Sequence, residues 1–188
     1  EGNPLLLDGK AIWRLDHVWP DDPTIAANFA PLPWNGTSWQ PSANTMGGQP
    51  DVRVEDGCLR AAVRGPWTGK QNQRIAGLAF VAPVSGIYVA SGTFRSKPWE
   101  GKATVFRLGL FKKDTQRGVL VKTVETGRDD TPAPFEVEVE LSQGHELVFM
   151  PLMPDWHNAT TVRVDNLVVR EKRTSGPESD ERPRSPER

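Results

Sequence analysis

Between residues 135 and 141 the chain alternates without a break. Phe135, Val137, Val139 and Leu141 share one parity, and Glu136, Glu138 and Glu140 share the other. A period of two marks a strand with one face on a core and one face in water, as in antiparallel sheets. The segment Ser142-Gln143-Gly144-His145 turns the chain, and residues 146–150 return as an apolar strand. The same reading gives strands over 58–63, 78–82, 87–94, 105–111, 119–124 and 161–169, set off by turn signals such as Glu55-Asp56-Gly57, Pro83-Val84-Ser85-Gly86 and Thr115-Gln116-Arg117-Gly118. In 105–111 the period places Phe106, Leu108 and Leu110 on one face. In the last strand Val162 and Val164 have a parity that Leu167 and Val169 lack, so a β-bulge is expected at Asp165-Asn166.

No stretch keeps a helical period over three turns. One short helix is expected at 24–30, after Asp21 and Asp22. Strands recurring about every ten residues indicate an all-β fold, a two-sheet antiparallel β-sandwich of the jelly-roll kind. The first fifty residues are less regular: residues 5–15 supply an early strand, and Pro31 to Pro41 reads as loop around Trp34 and Trp39. Residues 1–170 are expected to form one domain. Residues 171–188 carry no large apolar side chain and balance five basic against five acidic residues, so they read as a disordered charged tail or linker.

Composition sharpens this picture at three points. Lys and Arg total 23 against 24 Asp and Glu, a formal net charge of -1, which argues against a nucleic-acid partner. No run approaches the roughly 18 apolar residues of a membrane-spanning helix. Cys58 is the single cysteine, so neither an internal disulfide nor a cysteine-built zinc site is available, and a small buried hydrophobe is expected there. No basic start with a following apolar stretch of signal-peptide length is present. Asn35-Gly36-Thr37 and Asn158-Ala159-Thr160 are glycosylation sequons.

Chemistry is sparse along the chain. There is no Gly-x-Ser-x-Gly elbow, no phosphate loop and no dinucleotide fingerprint. His17, His145 and His157 have no ligand spacing between them, and His145 and His157 read as turn or loop histidines. The Glu136, Glu138, Glu140 row reads as a solvated face. An acid pair assembled across strands, such as Asp155 with Glu100, has no signature of its own.

The seven Trp, beside one Tyr, are the unusual feature. Trp13 lies in a strand pattern and is expected in the core, with Trp19 also assigned to the fold. Trp67, Trp99 and Trp156 lie in polar loops between strands, among residues such as Arg95, Lys97, Asp155 and His157. Each loop Trp either caps an open end of the sandwich or offers its ring to a ligand; Trp34 and Trp39 are evenly balanced between the two. Sugar rings lay flat C–H faces on such rings while polar neighbours take the hydroxyls.

From Gly77 the run Gly77-Leu78-Ala79-Phe80-Val81-Ala82-Pro83-Val84-Ser85-Gly86-Ile87-Tyr88-Val89 joins an apolar strand, a Pro-x-x-Gly turn and an aromatic strand. With residues 144–151, the loop Asp155-Trp156-His157-Asn158 and the closing 164–169, it resembles the β-jelly-roll carbohydrate-binding modules of bacterial polysaccharide-degrading enzymes over about residues 50–170. A related unit occurs in complement-type trimeric jelly rolls. The resemblance implies a non-catalytic module that binds polysaccharide by Trp stacking and hydrogen bonds, extracellular or periplasmic, attached to neighbouring domains. Its ligand residues are then Trp67, Trp99, Trp156, Arg95, Lys97, Asp155, His157, Trp34 and Trp39, and the basic neighbours suit an acidic or sulfated glycan. No cofactor is required; a structural calcium at Asp165 is the one metal the resemblance offers, against a role for that side chain in holding the bulge. The alternatives are a structural or adhesion jelly roll that contacts protein and, last, a small polysaccharide lyase or hydrolase, for which no converging acid, base and Arg are visible.

Overall fold

The structure, a computed structural model, describes residues 5–7, 10–18, 29–36, 38–39, 51–55, 58–63, 75–98, 107–126, 131–152 and 160–172. They form strands β1 (Leu5–Leu7), β2 (Lys10–Val18), β3 (Phe29–Pro31), β4 (Asp51–Glu55), β5 (Cys58–Val63), β6 (Ile75–Val81), β7 (Gly86–Pro98), β8 (Arg107–Lys113), β9 (Gly118–Glu125), β10 (Ala133–Leu141), β11 (Glu146–Leu152) and β12 (Thr160–Glu171). One sheet has the order β1-β2-β6-β11-β8-β9, with β3 also on β2, and the other the order β10-β7-β12-β5-β4. Every pairing is antiparallel, and no helix occurs among the described residues. The protein is a two-sheet β-sandwich. Of the expected helix, Phe29 and Ala30 belong to β3, and 24–28 lie outside the described residues.

The alternation read from β10 places its parts as expected: Phe135, Val139 and Leu141 are buried while Glu136, Glu138 and Glu140 are exposed. These side chains meet Tyr88, Phe94 and Val162 of their own sheet and Phe80, Leu108, Leu110, Leu147 and Phe149 of the other. Trp13 packs against this core, its ring edge-on to Phe80 at 5.4 Å. The register of β12 on β7 slips between Asp165 and Val168, and Asn166 takes φ 53°. That bulge turns Leu167 and Val169 to the core beside Val162 and Val164. β12 also runs on to Glu171, and Lys172 N donates to Ile87 O at 2.7 Å, so the sandwich takes the first two residues assigned to the tail.

One end of the sandwich is tied by its turns. Tyr88 Oη donates to Val84 O at 2.7 Å, and Gly144 N donates to Ala82 O at 2.9 Å. A second, smaller core of Leu15, Leu32, Trp39, Val52 and Ala76 stands apart from the main one. Between the two cores lies an apolar cavity of about 380 Å³, walled by Leu15, Ala76 and Leu78 on one sheet and Phe94, Val162 and Leu167 on the other.

β11 departs from simple alternation. Six of its seven residues are buried, from Glu146 to Pro151. Its second face carries Val148 and Met150 against Ala79 and Phe111, with Phe29 and Leu152 packed beside them. The outer side of the larger sheet is therefore covered, and polar groups placed there need partners.

Candidate functional site

Of the nine expected ligand residues, Trp34, Trp39 and Arg95 have described side chains, and Lys97 is placed on β7 by its backbone. Trp67, Trp99, Asp155, Trp156 and His157 lie outside the described residues, as does Trp19. The loop after β3 separates the two remaining tryptophans by role. Trp39 exchanges backbone hydrogen bonds with Val52, at 3.0 and 3.2 Å, and is buried in the smaller core at 8% exposure. Trp34 stands on it, ring centroids 4.6 Å apart, and stays 37% exposed. The turn between them is built locally: Asn35 N donates to Ser38 O at 3.0 Å, Asn35 Oδ1 accepts from Ser38 N at 2.9 Å, and Gly36 takes φ 104°. Trp39 thus plugs the sandwich end and holds up a partly exposed indole beside the exposed amide of Asn35. Ser38 Oγ and Trp39 Nε1 are buried there with no hydrogen-bond partner among the described residues.

A second group stands on the outer face of the five-stranded sheet. Phe94 and Val162 point into the core, so their neighbours Arg95 and Arg163 take the opposite face. Arg95 Nε donates to Asp165 Oδ2 at 2.7 Å. Arg163 Nε approaches Oδ1 at 3.0 Å as an ion pair, without hydrogen-bond alignment. Both carboxylate oxygens thus face a guanidinium, and this does not fit a calcium ligand, which competes for the same lone pairs and is repelled by both cations. Asp165 thus holds two arginine side chains beside the bulge. No group of three or more His, Cys, Asp or Glu able to hold a metal occurs among the described residues.

The structure also assembles a cluster that the sequence reading did not foresee. On the outer side of the larger sheet, Arg14 makes a two-bond fork to Asp16, at 2.7 and 2.8 Å, and reaches Glu146 Oε1 at 2.8 Å. Glu146 Oε2 accepts from Lys113 Nζ at 2.8 Å, and Lys113 Nζ lies 5.0 Å from the Phe29 ring centre. Asp16 is fully buried, and Glu146 and Lys113 are each 7% exposed. Burial works to lower the Arg14 pKa, but the hydrogen bond and charge of Asp16, then of Glu146, outweigh it and hold the guanidinium above its ordinary value. Acid, base and Arg do converge here. Yet two cations and two anions neutralise one another in a linear chain, Asp16–Arg14–Glu146–Lys113, the arrangement of a structural support. The available signal was the continuous apolar run of β11, which implies burial on both faces and hence a paired Glu146.

No family model and no curated protein matches this chain. Among solved structures, the N-terminal cellulose-binding domain of Cellulomonas fimi β-1,4-glucanase C aligns over 89% of this chain and 93% of its own, with 12% identity and a TM-score of 0.45. The CBM36-1 domain of a multidomain xylanase from the hindgut metagenome of Trinervitermes trinervoides aligns over 85% and 99%, with 12% identity and a TM-score of 0.41. The CBM22-1 xylan-binding domain of Paenibacillus barcinonensis Xyn10C aligns over 83% and 92%, with 13% identity and a TM-score of 0.38.

Proposed function

We propose that this chain is a non-catalytic carbohydrate-binding module of an extracellular or periplasmic protein, which holds polysaccharide by Trp stacking and hydrogen bonds. The observation that carries the reading is Trp34: an indole kept 37% exposed on a buried Trp39, beside the polar side chains of Asn35 and Ser38. An exposed aromatic ring is costly in water and gives a sugar face the flat apolar surface it needs. Trp67, Trp99 and Trp156, in equally polar stretches of sequence, are the further candidates for the same role, with Asp155 and His157 for the hydroxyls. Arg95 and Lys97 follow one another on the outer face of β7 and favour an acidic or sulfated glycan.

The test is affinity electrophoresis through gels containing neutral, uronate and sulfated polysaccharides, with a parallel assay for new sugar ends. Retardation without cleavage supports the module, and Trp34→Ala is expected to weaken it several-fold. Unretarded migration on every glycan would sink the reading in favour of a structural or adhesion domain. One observation favours that second reading: Val119, Leu120 and Val121 are 50, 48 and 39% exposed in succession on β9, an edge strand open to pairing with a partner chain.

A further inference from the structure

We propose that the outer face of the five-stranded sheet binds a linear anionic polysaccharide, laid across the strands along a row of four arginines. The row is set by register. Arg53 of β4 pairs with Arg60 of β5, Arg60 with Arg163 of β12, and Arg163 with Arg95 of β7. Four adjacent strands thus carry Arg at directly opposed positions, on the face opposite Phe94 and Val162. Lys97 stands two residues beyond Arg95 on β7, at the same parity.

Like charges directly opposite one another destabilise a sheet. Here they recur across three consecutive strand pairings, with the carboxylate of Asp165 placed against two of the arginines, at 2.7 and 3.0 Å, and with Asp51 and Glu55 at the same parity as Arg53 on β4. Folding alone does not favour such a row. A ligand with an anion at each strand spacing, about 4.8 Å, would neutralise it. That interval is close to one sugar unit, and the guanidinium fork matches a carboxylate or a sulfate group with two parallel hydrogen bonds. The row is one residue wide. On β10 the same face carries the exposed Glu136 and Glu138, opposite Ser91 and Val89 and so four and six residues along β7 from Arg95, with Glu138 paired to Lys172 Nζ at 2.6 Å. A single polyanionic chain fits the strip.

The inference rests on the carbohydrate-binding reading and names the ligand class and residues that such binding would use on this face. The whole chain would be titrated by calorimetry with polygalacturonate, dextran sulfate, neutral dextran and a single-stranded oligonucleotide at two salt concentrations. Binding to either polyanion supports the inference when Arg163→Gln and Arg60→Gln each weaken it about tenfold or more and flatten its salt dependence. The two polyanions distinguish carboxylate from sulfate. Arg53→Gln, on β4 and two strands away from β12, keeps the test decisive should Arg163→Gln unfold the bulge. Glu138→Gln is expected to leave affinity unchanged or raise it. Polyanion binding indifferent to all the arginine variants, or neutral dextran bound equally well, would overturn the row and leave the carbohydrate reading standing. Binding to no polysaccharide overturns both. An oligonucleotide held more tightly than either polyanion at equal salt overturns the polysaccharide assignment.

Discussion

Glu146 bridges Arg14 and Lys113 on a face from which water is excluded. Removing it leaves Lys113 without its carboxylate and takes from Arg14 one of its two. Breaking a buried pair in this way costs about 3–5 kcal/mol, far more than the intact pair contributes over an apolar replacement. Glu146→Ala is therefore expected to lower the unfolding free energy by about that amount in urea, with glycan binding by the remaining folded protein unchanged. Asp114 shows the opposite, exposed case. Its Oδ1 accepts from Arg117 N at 2.8 Å and Gln116 N at 2.7 Å, and these bonds, that to Arg117 foremost, hold its pKa below the usual carboxylate range. A depressed folded-state pKa gives stability that is whole above the unfolded value, about 3.9, and is lost as pH falls through the folded one. An NMR titration of the Asp114 carboxyl is expected to show its midpoint below that of a free Asp, with the 114–117 turn opening only under stronger acid. Sequence alone could suggest the Asp114 turn, whose donors lie two and three residues away. It could not show the Glu146 cluster, whose members come from three strands far apart in the chain.

The strands read from the sequence are those in which neighbouring residues report on burial directly. β10 alternates over its whole length, and β12 shows its bulge as a change of parity at Asp165-Asn166. β3 escaped assignment because a strand of three residues is too short to display a period, whereas β4 does alternate from Asp51 to Glu55 and its signal was there to be read. The bulge makes a specific demand. Asn166 holds φ 53°, in the left-handed region that costs a β-branched residue about 1–2 kcal/mol and glycine almost nothing. Asn166→Gly is expected to leave the melting temperature nearly unchanged, whereas Asn166→Val should lower stability by about 1–2 kcal/mol. An equal loss in both variants would mean that the Asn side chain, rather than the backbone angle, holds the turn.

At the scale of the molecule, what remained hidden was register: which parities of distant strands come to lie in one line. The arginines at 53, 60, 95 and 163 are four unremarkable polar positions until β4, β5, β12 and β7 are paired. The gap between the two cores is of the same kind, since it depends on how the sheets close over one another. Ala76 sits on its wall, buried at 5% exposure, and contributes to the smaller core that holds Trp39 and, through it, Trp34. The cavity of about 380 Å³ has ample room for a larger side chain at that point. Filling apolar space in this way commonly adds about 0.5–2 kcal/mol. Ala76→Leu is therefore expected to raise the urea midpoint with its slope unchanged. If the smaller core positions the exposed indole, the same variant should also leave glycan affinity intact or improved. A destabilised Ala76→Leu protein would show instead that the two sheets already meet at this point in solution.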